Sequence, residues 1–239
     1  MVVKLAIAGV FAALVCVATL VLVVSVPATT GYFNIGETVI YVAASLFGPI
    51  VGAAAGGIGA GIADLLVAPQ FAPGTLIIKG LEGGIVGFLN RKMFTHASSS
   101  AWKVFTTVLG IVIGILLAVT GAIYYSGEMQ LFLGYPQPAS PTFTVFVPIE
   151  LWYFLGSIVT LLVAYVGFKT EPELGRRILS MMIGGLEMVF GYFLYEQLVL
   201  GKTTAIVEIP VNIGQMLVGL VVAIPIVKII LRSLPQLKN

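Results

Sequence analysis

Charged residues are scarce in this chain: they make up 9% of its 239 residues, against about 25% in typical soluble domains. This scarcity excludes a soluble globular fold, because 59% of the residues are hydrophobic and the mean hydropathy is +1.10. The net charge of +2 comes from single cations scattered between apolar segments. Such scattered cations cannot form the basic surface that nucleic acid requires, so no nucleic-acid partner is expected.

Cysteine and histidine are nearly absent, with one residue of each. Cys16 lies inside the first apolar run and is interpreted as a small buried hydrophobe, whereas His96 lies in a serine-rich connection. The sequence has no HExxH motif, nucleophile elbow or Cys/His ligand set. The run GKT at 201–203 resembles the end of a P-loop but has Glu196 where the first glycine is required. We therefore expect neither an enzyme nor a bound cofactor or metal ion.

Long hydrophobic runs are what the sequence does contain, and they predict an all-α membrane protein. A membrane-spanning helix needs about 20 apolar residues. The second run, 37–48, is shorter than this and is followed directly by Gly48-Pro49. Runs two and three are therefore predicted to form a hairpin with one short arm. A short arm leaves a cavity at membrane depth, since lipid cannot satisfy free backbone groups. Glycines four residues apart in runs three and four predict close helix packing. The eight runs are 4–26, 37–48, 50–67, 74–90, 102–124, 146–168, 178–199 and 209–231.

Lys and Arg residues are sorted to one end of the predicted helices. With a cytoplasmic N-terminus, every cation except Lys79 and Lys202 falls at a cytoplasmic helix end, as the positive-inside rule requires. We predict a multi-pass protein of the cell membrane with both termini cytoplasmic and an uncleaved first helix. Lys202 is expected to be a solvated loop charge. The outer side then carries the connections 27–36, 68–73, 125–145 and 200–208, which are expected to form ordered lids.

Ionisable and amide side chains within the apolar runs mark a candidate binding site. A central Asp or Lys costs about 2.5–3.5 kcal/mol in a membrane helix, so such residues usually face a cavity or a partner. Lys79 and Glu82 share a helix face, either as a structural ion pair or as part of a pocket. Asn212 and Gln215 also share a face and need hydrogen-bond partners that a polar ligand could supply. Glu37 could instead complement a helix dipole, and the aromatic residues could form an interfacial belt. The remaining candidates are Asp64, Glu187, Tyr192 and Glu196.

Four ordered motifs resemble the substrate-binding S component of energy-coupling factor (ECF) vitamin transporters, in the branch labelled riboflavin-type. They are GYFNIGETVIYVAASLFGPIVGAAAGGIGAGIADLL at 31–66, APGTLIIKGLEGGIVG at 72–87, GYFLYE at 191–196 and IPVNIGQMLVG at 209–219. The resemblance covers roughly residues 5–92 and 176–231. It implies one membrane domain, 1–239, in which a six-helix bundle (1–97 and 173–239) carries an inserted hairpin of two transmembrane helices (98–172).

The resemblance also implies a ligand, partners and a site. The ligand is a vitamin held near the outer surface, and the partners are a transmembrane coupling subunit, two ATPase subunits and the lipid bilayer. Ala8 and Ala12 match the AxxxA docking pattern of the family's first helix, with small-residue packing inside the subunit as the alternative; tryptophan at either is predicted to spare ligand binding and abolish ATP-dependent uptake. The predicted substrate-binding residues are Tyr32, Asn34, Glu37, Asp64, Lys79, Glu82, Tyr192, Glu196, Asn212 and Gln215.

The predicted function is therefore that of a high-affinity vitamin-binding subunit of an ATP-driven importer. Riboflavin is the nominal substrate, because a planar ring suits aromatic stacking and hydroxyl groups suit amides and carboxylates. Pyridoxine, thiamin precursors and other small heterocycles stay open. The alternative is a stand-alone transporter coupled to protons through Glu82, Glu187 or Asp64. A membrane-embedded enzyme or a scaffold without ligand is a third class.

Overall fold

A computed structural model describes residues 2–26, 28–92, 99–169 and 172–237; His96 lies outside this range. The described chain is mostly helical, with four short strands and irregular connections. The helices are α1 Val2–Val21, α2 Gly36–Phe47, α3 Pro49–Val67, α4 Ala72–Lys92, α5 Ser99–Tyr124, α6 Ile149–Lys169, α7 Pro172–Leu194 and α8 Glu208–Ser233. The strands are β1 Val24–Val26, β2 Gly31–Phe33, β3 Gly127–Leu133 and β4 Phe143–Val147.

Six of the described helices are long and apolar enough to cross a membrane, and they are α1, α3, α4, α5, α7 and α8. Shorter apolar helical stretches among the described residues are α2, with 12 residues, and Ile149–Tyr165 within the 21-residue α6. Many of the large side chains exposed on α1, α5 and α6 are apolar, as expected for helix faces in contact with lipid. The predicted all-α membrane fold is confirmed, and α2 is the short arm of the hairpin with α3.

Gly48 and Pro49 make the tight turn between α2 and α3. Gly48 has a φ of 86°, a conformation that glycine adopts without strain, and its N–H bonds to the carbonyl of Ala44 at 2.9 Å. Pro49 begins α3, where its missing N–H is not needed. Arg91, at the end of α4, donates a hydrogen bond to the carbonyl of Phe47 at 3.1 Å. The end of α2 is thereby capped by a neighbouring helix.

The predicted close helix packing occurs where α3 crosses α4. A Cβ atom on Gly83 would lie 2.1 Å from the carbonyl oxygen of Gly52, and one on Gly56 would lie 2.3 Å from that of Lys79. Only glycine permits such backbone contact between helices. This crossing brings Lys79 of α4 close to the start of α2 and the end of α3.

A small antiparallel sheet covers one end of the bundle, with the strand order β2-β1-β3-β4. The register pairs Val24 of β1 with Phe33 of β2 on one side and with Leu133 of β3 on the other. The first apolar run, 4–26, is not helical to its end, because α1 ends at Val21 and β1 follows it. Pro27 disfavours helical conformation in the residue before it, and Val24 and Val26 are β-branched. We call this end of the bundle the sheet end.

The opposite end, which we call the basic end, carries the start of α1 and the ends of α4 and α8, with Lys4, Arg91 and Arg232. Helices α5 and α6 pack chiefly on each other: a Cβ on Gly156 would lie 2.5 Å from the carbonyl oxygen of Gly114. At the sheet end, the Tyr125 hydroxyl donates to the Val207 carbonyl at 2.9 Å. The α5–α6 pair is therefore joined to the bundle through the sheet and α8.

Candidate functional site

A buried ion-pair cluster forms the floor of a cavity near the sheet end. The Lys79 ammonium of α4 bonds to a carboxylate oxygen of Glu37 and, at 3.0 Å, to Oε2 of Glu82. Glu82 Oε1 accepts a hydrogen bond from the Tyr41 hydroxyl at 2.9 Å. All four side chains are at most 3% exposed. The predicted pairing of Lys79 with Glu82 is present, and it includes Glu37 as well.

Helix α8 supplies an amide wall. Gln215 accepts a hydrogen bond from the backbone N–H of Asn34 at 2.6 Å, and its amide group donates to Glu37 at 3.2 Å and to Asn212 at 3.4 Å. Asn34 itself accepts from the N–H of Gly36 at 2.9 Å, just before α2. These bonds attach the first connection of the chain to α8, so the α8 amides have protein partners as well as a face on the cavity.

The opposite wall centres on Asp64, in the last turn of α3. Its two carboxylate oxygens accept hydrogen bonds from the hydroxyls of Tyr32 and Thr75. Thr75 also lies 2.8 Å from the Tyr192 hydroxyl, and the Tyr192 ring packs edge-on to Phe71 with centroids 6.4 Å apart. Burial and the Asp64 carboxylate raise the pKa of Tyr32 well above its ordinary value, so its hydroxyl keeps its proton and donates.

Two further carboxylates lie where the cavity meets the sheet. Glu196 belongs to a π-helical turn, Tyr195–Val199, that continues α7, and Glu208 begins α8. Glu208 accepts a hydrogen bond from the Thr29 hydroxyl. A Cβ atom on Gly31 would lie 2.2 Å from Glu208 Oε1. A side chain at position 31 would therefore force the Glu208 carboxylate to move.

Hydrogen bonds between connections close the cavity at the sheet end. Lys202 donates to the Thr29 carbonyl and, at 3.0 Å, to the Thr30 hydroxyl, while its ammonium lies 4.6 Å from the Phe71 ring centroid. Gln70 also donates to the Thr30 hydroxyl, at 3.2 Å. Lys202 lies in a connection and is partly exposed, as expected, but these acceptors and the ring also hold its ammonium against the first connection.

The cavity has about 460 Å³ of empty space, counted together with its opening. Nine of the ten predicted substrate-binding residues line it. The tenth, Glu82, lies beneath the floor, where it holds Lys79. Glu187, the other ionisable candidate on α7, is half-buried and is not part of this lining. The lining residues that match the prediction are Tyr32, Asn34, Glu37, Asp64, Lys79, Tyr192, Glu196, Asn212 and Gln215.

Several lining residues were not predicted from the sequence. Thr75 and Thr19 carry hydroxyls, which are common in membrane helices and give no signal by themselves. Glu208 was assigned to a connection, although it follows an apolar run and directly precedes the IPVNIGQMLVG motif, and that position could have marked it. Phe71 belongs to the connection 68–73, which was predicted only as an ordered lid. All four line the cavity.

Ala8 and Ala12 of α1 are not part of the cavity lining. Both are 7% exposed and are buried within the chain. Ala12 packs against α3, since a Cβ on Gly59 would lie 2.4 Å from the Ala12 carbonyl oxygen. This geometry is the small-residue packing inside the subunit that was the alternative interpretation of the AxxxA pattern.

Fold and cavity together define a multi-pass helical membrane protein with an internal polar cavity closed by a small sheet. A family model for the ECF-type riboflavin transporter S component matches residues 1–165 and 151–232. The chain belongs to this family, whose members are vitamin transporter subunits and not a class of enzymes. Both matched ranges include part of the α5–α6 pair.

A curated relative from Pyrococcus woesei carries no functional description. It is named "Uncharacterized protein in gap 3'region" and is 39% identical over 107 residues. The aligned stretch covers 45% of this chain and 67% of that protein.

Proposed function

We propose that this chain is the high-affinity substrate-binding subunit of an ATP-driven vitamin importer, with riboflavin as the nominal substrate. The observation that carries the proposal is the cavity at the sheet end, which is buried, polar on several walls and closed by ordered connections. Ligand sites of this kind combine apolar and aromatic walls with a few placed polar groups. The family membership of the chain supports the same conclusion.

The side chains that line the cavity are chemically compatible with riboflavin. Phe71, Tyr32 and Tyr192 provide ring surfaces for a planar heterocycle. The carboxylates and amides around them accept hydrogen bonds from the hydroxyls of a polyol chain. The same groups would serve pyridoxine or a thiamin precursor, so the ring system of the substrate must be identified by experiment.

The sheet end is proposed to face the outside of the cell membrane, and the basic end the cytoplasm and the ATPase subunits. The positive-inside rule favours this orientation for the cations at the basic end. Both termini would then be cytoplasmic. The core 1–97 and 173–239 is proposed as the S-component bundle, with the hairpin 98–172 extending it, because α5 and α6 pack chiefly on each other.

Docking on the transmembrane coupling subunit is proposed to use α1. Because Ala8 and Ala12 are buried against the chain itself, tryptophan at either position would disturb the fold as well as the docking. Gly9 gives a cleaner test, since an added Cβ there meets no atom within 4 Å. We expect the Gly9→Trp variant to bind ligand normally and to lose ATP-dependent uptake. If the variant keeps both ligand binding and uptake, docking through the Gly9 side of α1 is contradicted.

The substrate assignment is tested by purifying the chain, denaturing it and identifying any released molecule by absorbance and mass spectrometry. A flavin spectrum is the expected result. The protein freed of ligand is then titrated with riboflavin, pyridoxine and thiamin. The proposal fails if none of them binds at micromolar concentration.

Proton-coupled transport by the chain alone is a second candidate. It is favoured by Glu187, a half-buried acid on α7 whose Oε2 has no hydrogen-bond partner in the described part of the chain. Intramembrane acids often relay protons. Uptake by proteoliposomes that contain only this chain, driven by a proton gradient without ATP, would support this candidate against the first.

A further inference from the structure

A second cavity lies at the sheet end, between the α5–α6 pair and the rest of the bundle. Its empty space is about 1100 Å³, counted together with its opening, against about 460 Å³ for the cavity described above, which we now call the polar cavity. The bundle lines the second cavity with β1, the end of β2 and the first turns of α8. The hairpin 98–172 lines it with the end of α5, with β3 and β4, and with the first turn of α6. The second cavity therefore exists only because this chain carries the hairpin.

A wall formed by β2 and α8 separates the two cavities. Neighbouring residues of a strand point to opposite faces, and Tyr32 lines the polar cavity whereas Phe33 lines the second one. On α8, Gln215 lines the polar cavity and Gly214 the second one. Phe33 lies against this glycine, since a Cβ on Gly214 would lie 3.9 Å from Phe33 Cε2. The second cavity is therefore a separate site and not an extension of the polar cavity.

The walls of the second cavity are apolar, and none of the described residues that line it is charged. The Tyr125 hydroxyl donates to the Val207 carbonyl at 2.9 Å, and Trp152 Nε1 donates to the Tyr125 carbonyl at 2.9 Å. Both rings thus have their polar atoms satisfied by the protein and present hydrocarbon surface. Ser25 and Gln130 add polar atoms to walls that are otherwise mostly aliphatic and aromatic. Such walls favour a ligand that is uncharged and consists mainly of hydrocarbon.

The mouth of the second cavity is apolar as well and continues into the lipid-facing surface. Tyr124, Leu131 and Val145 line the cavity and are nevertheless 36%, 37% and 45% exposed. Ile123, which precedes Tyr124 on α5, is 65% exposed. Exposed apolar surface that leads into a groove is typical of membrane or ligand contacts, and tyrosine is enriched where membrane helices meet the lipid headgroups. The molecules that this mouth meets are therefore membrane lipids.

We propose that the second cavity is a lipid site, in which a hydrocarbon chain of a membrane lipid fills the space between the inserted hairpin and the bundle. Apolar cavities hold apolar molecules and not water, and a chain in this space restores the dispersion contacts that an empty cavity lacks. Because α5 and α6 join the bundle through the sheet and α8, the lipid chain completes the packing of the hairpin. This inference does not depend on which vitamin the polar cavity binds.

Trp152 provides a probe on the wall of the second cavity. The chain has two tryptophans, Trp102 and Trp152, so Trp102→Phe leaves a single-tryptophan protein. Bromine atoms on a lipid chain quench tryptophan fluorescence only at short range. The purified full-length protein in detergent is therefore titrated with phosphatidylcholine that carries brominated acyl chains. A chain that enters the cavity makes the quenching of Trp152 saturate at a small fraction of lipid in the micelle.

A matched probe outside the cavity measures the lipid that merely surrounds the protein. It is Phe154→Trp, combined with Trp102→Phe and Trp152→Phe. Phe154 lies on α6 like Trp152, is 62% exposed and does not line the second cavity. We expect half-maximal quenching of Trp152 at a lipid fraction at least about tenfold lower than that of the tryptophan at position 154. The same dependence on lipid fraction at both positions would overturn the proposal.

Filling the cavity tests its location. Val147→Phe and Val211→Phe together enlarge one lining side chain on β4 and one on α8, in the single-tryptophan protein. Val108→Phe and Val221→Phe make the same change at positions of α5 and α8 that are 55% and 67% exposed, and they are the control. Circular dichroism verifies the fold of both variants. We expect the filled variant to lose the tenfold preference of Trp152 for low lipid fractions and the control to keep it. If the filled variant keeps this preference, the lipid chain does not bind in this cavity and the proposal is wrong.

Discussion

Lys79 holds the most concentrated charge cluster in the described chain. Its ammonium compensates Glu37 and Glu82, which come from two different helices and are both at most 1% exposed. Removing one member of a buried ion pair leaves an uncompensated charge, which typically costs about 3–5 kcal/mol. The residue therefore stabilises the contact between α2 and α4 as well as forming the floor of the cavity.

Lys79→Met is accordingly expected to lower the free energy of unfolding by about 3–5 kcal/mol. The measurement is thermal or denaturant unfolding of the purified, ligand-free protein in detergent, followed by circular dichroism. Adding Glu37→Gln and Glu82→Gln to Lys79→Met should restore much of the loss, because no buried carboxylate then lacks a counter-charge. Lys228→Met, at an exposed position of α8, is the control. Equal stability of the Lys79 and Lys228 variants would contradict the account.

The sequence predicted those site residues whose charge is costly inside a membrane helix. Lys79, Asp64 and Glu196 stand out in apolar segments for this reason. Thr75 did not stand out, because a hydroxyl can form a hydrogen bond to its own helix and does not carry the free-energy cost of a charge inside a membrane helix. Glu208 was missed because its helix begins one residue earlier than the apolar run, so that its burial depends on Thr29 and Gly31, which are distant in the sequence.

At the scale of elements, the glycine crossing of α3 and α4 determines where the cavity walls lie. Two adjacent glycines of α4, Gly83 and Gly84, differ in how closely they approach α3. A Cβ on Gly83 would lie 2.1 Å from the Gly52 carbonyl oxygen, whereas a Cβ on Gly84 would first meet Ala53 Cβ at 3.6 Å, an ordinary contact. The two positions thus make a matched pair for a stability measurement.

Gly83→Ala is expected to destabilise the protein by about 1–3 kcal/mol, as overpacking does. Gly84→Ala should be neutral or should stabilise it by up to about 1 kcal/mol, because alanine is the better helix former. Both are measured by unfolding in detergent beside the wild-type protein. Shifts of the same sign and size in the two variants would show that backbone contact at Gly83 does not limit the crossing.

Hydropathy located all eight helices but not the sheet. The strands have three to seven residues, and their pairings join Val24 to Leu133, which are far apart in the chain. Period-two patterns this short are weak, and a valine-rich run after α1 reads equally well as the end of a membrane helix. Pro27 was the available signal that the helix had ended.

At the scale of the whole molecule, the basic end and the cavity lie at opposite ends of the helix bundle. The basic end holds most of the cations near the helix ends, and the sheet end holds the cavity with its carboxylates. A binding subunit that captures a nutrient outside and meets ATPase subunits inside needs this polarity. The orientation is therefore the property on which the proposed function depends most.

Cysteine labelling in intact cells measures that orientation directly. The chain has a single cysteine, Cys16, so Cys16→Ala provides a background without thiols. Two single cysteines are then added to the Cys16→Ala background. Glu128→Cys, at an exposed position of β3, is expected to react with a membrane-impermeant maleimide in intact cells. Arg232→Cys, at an exposed position near the end of α8, should react only after the cells are permeabilised. The positive-inside rule gives the reason, since Arg232 lies among the basic-end cations and the β3 side is poor in them. The reverse pattern would place the cavity on the cytoplasmic side, where it could not capture an external vitamin.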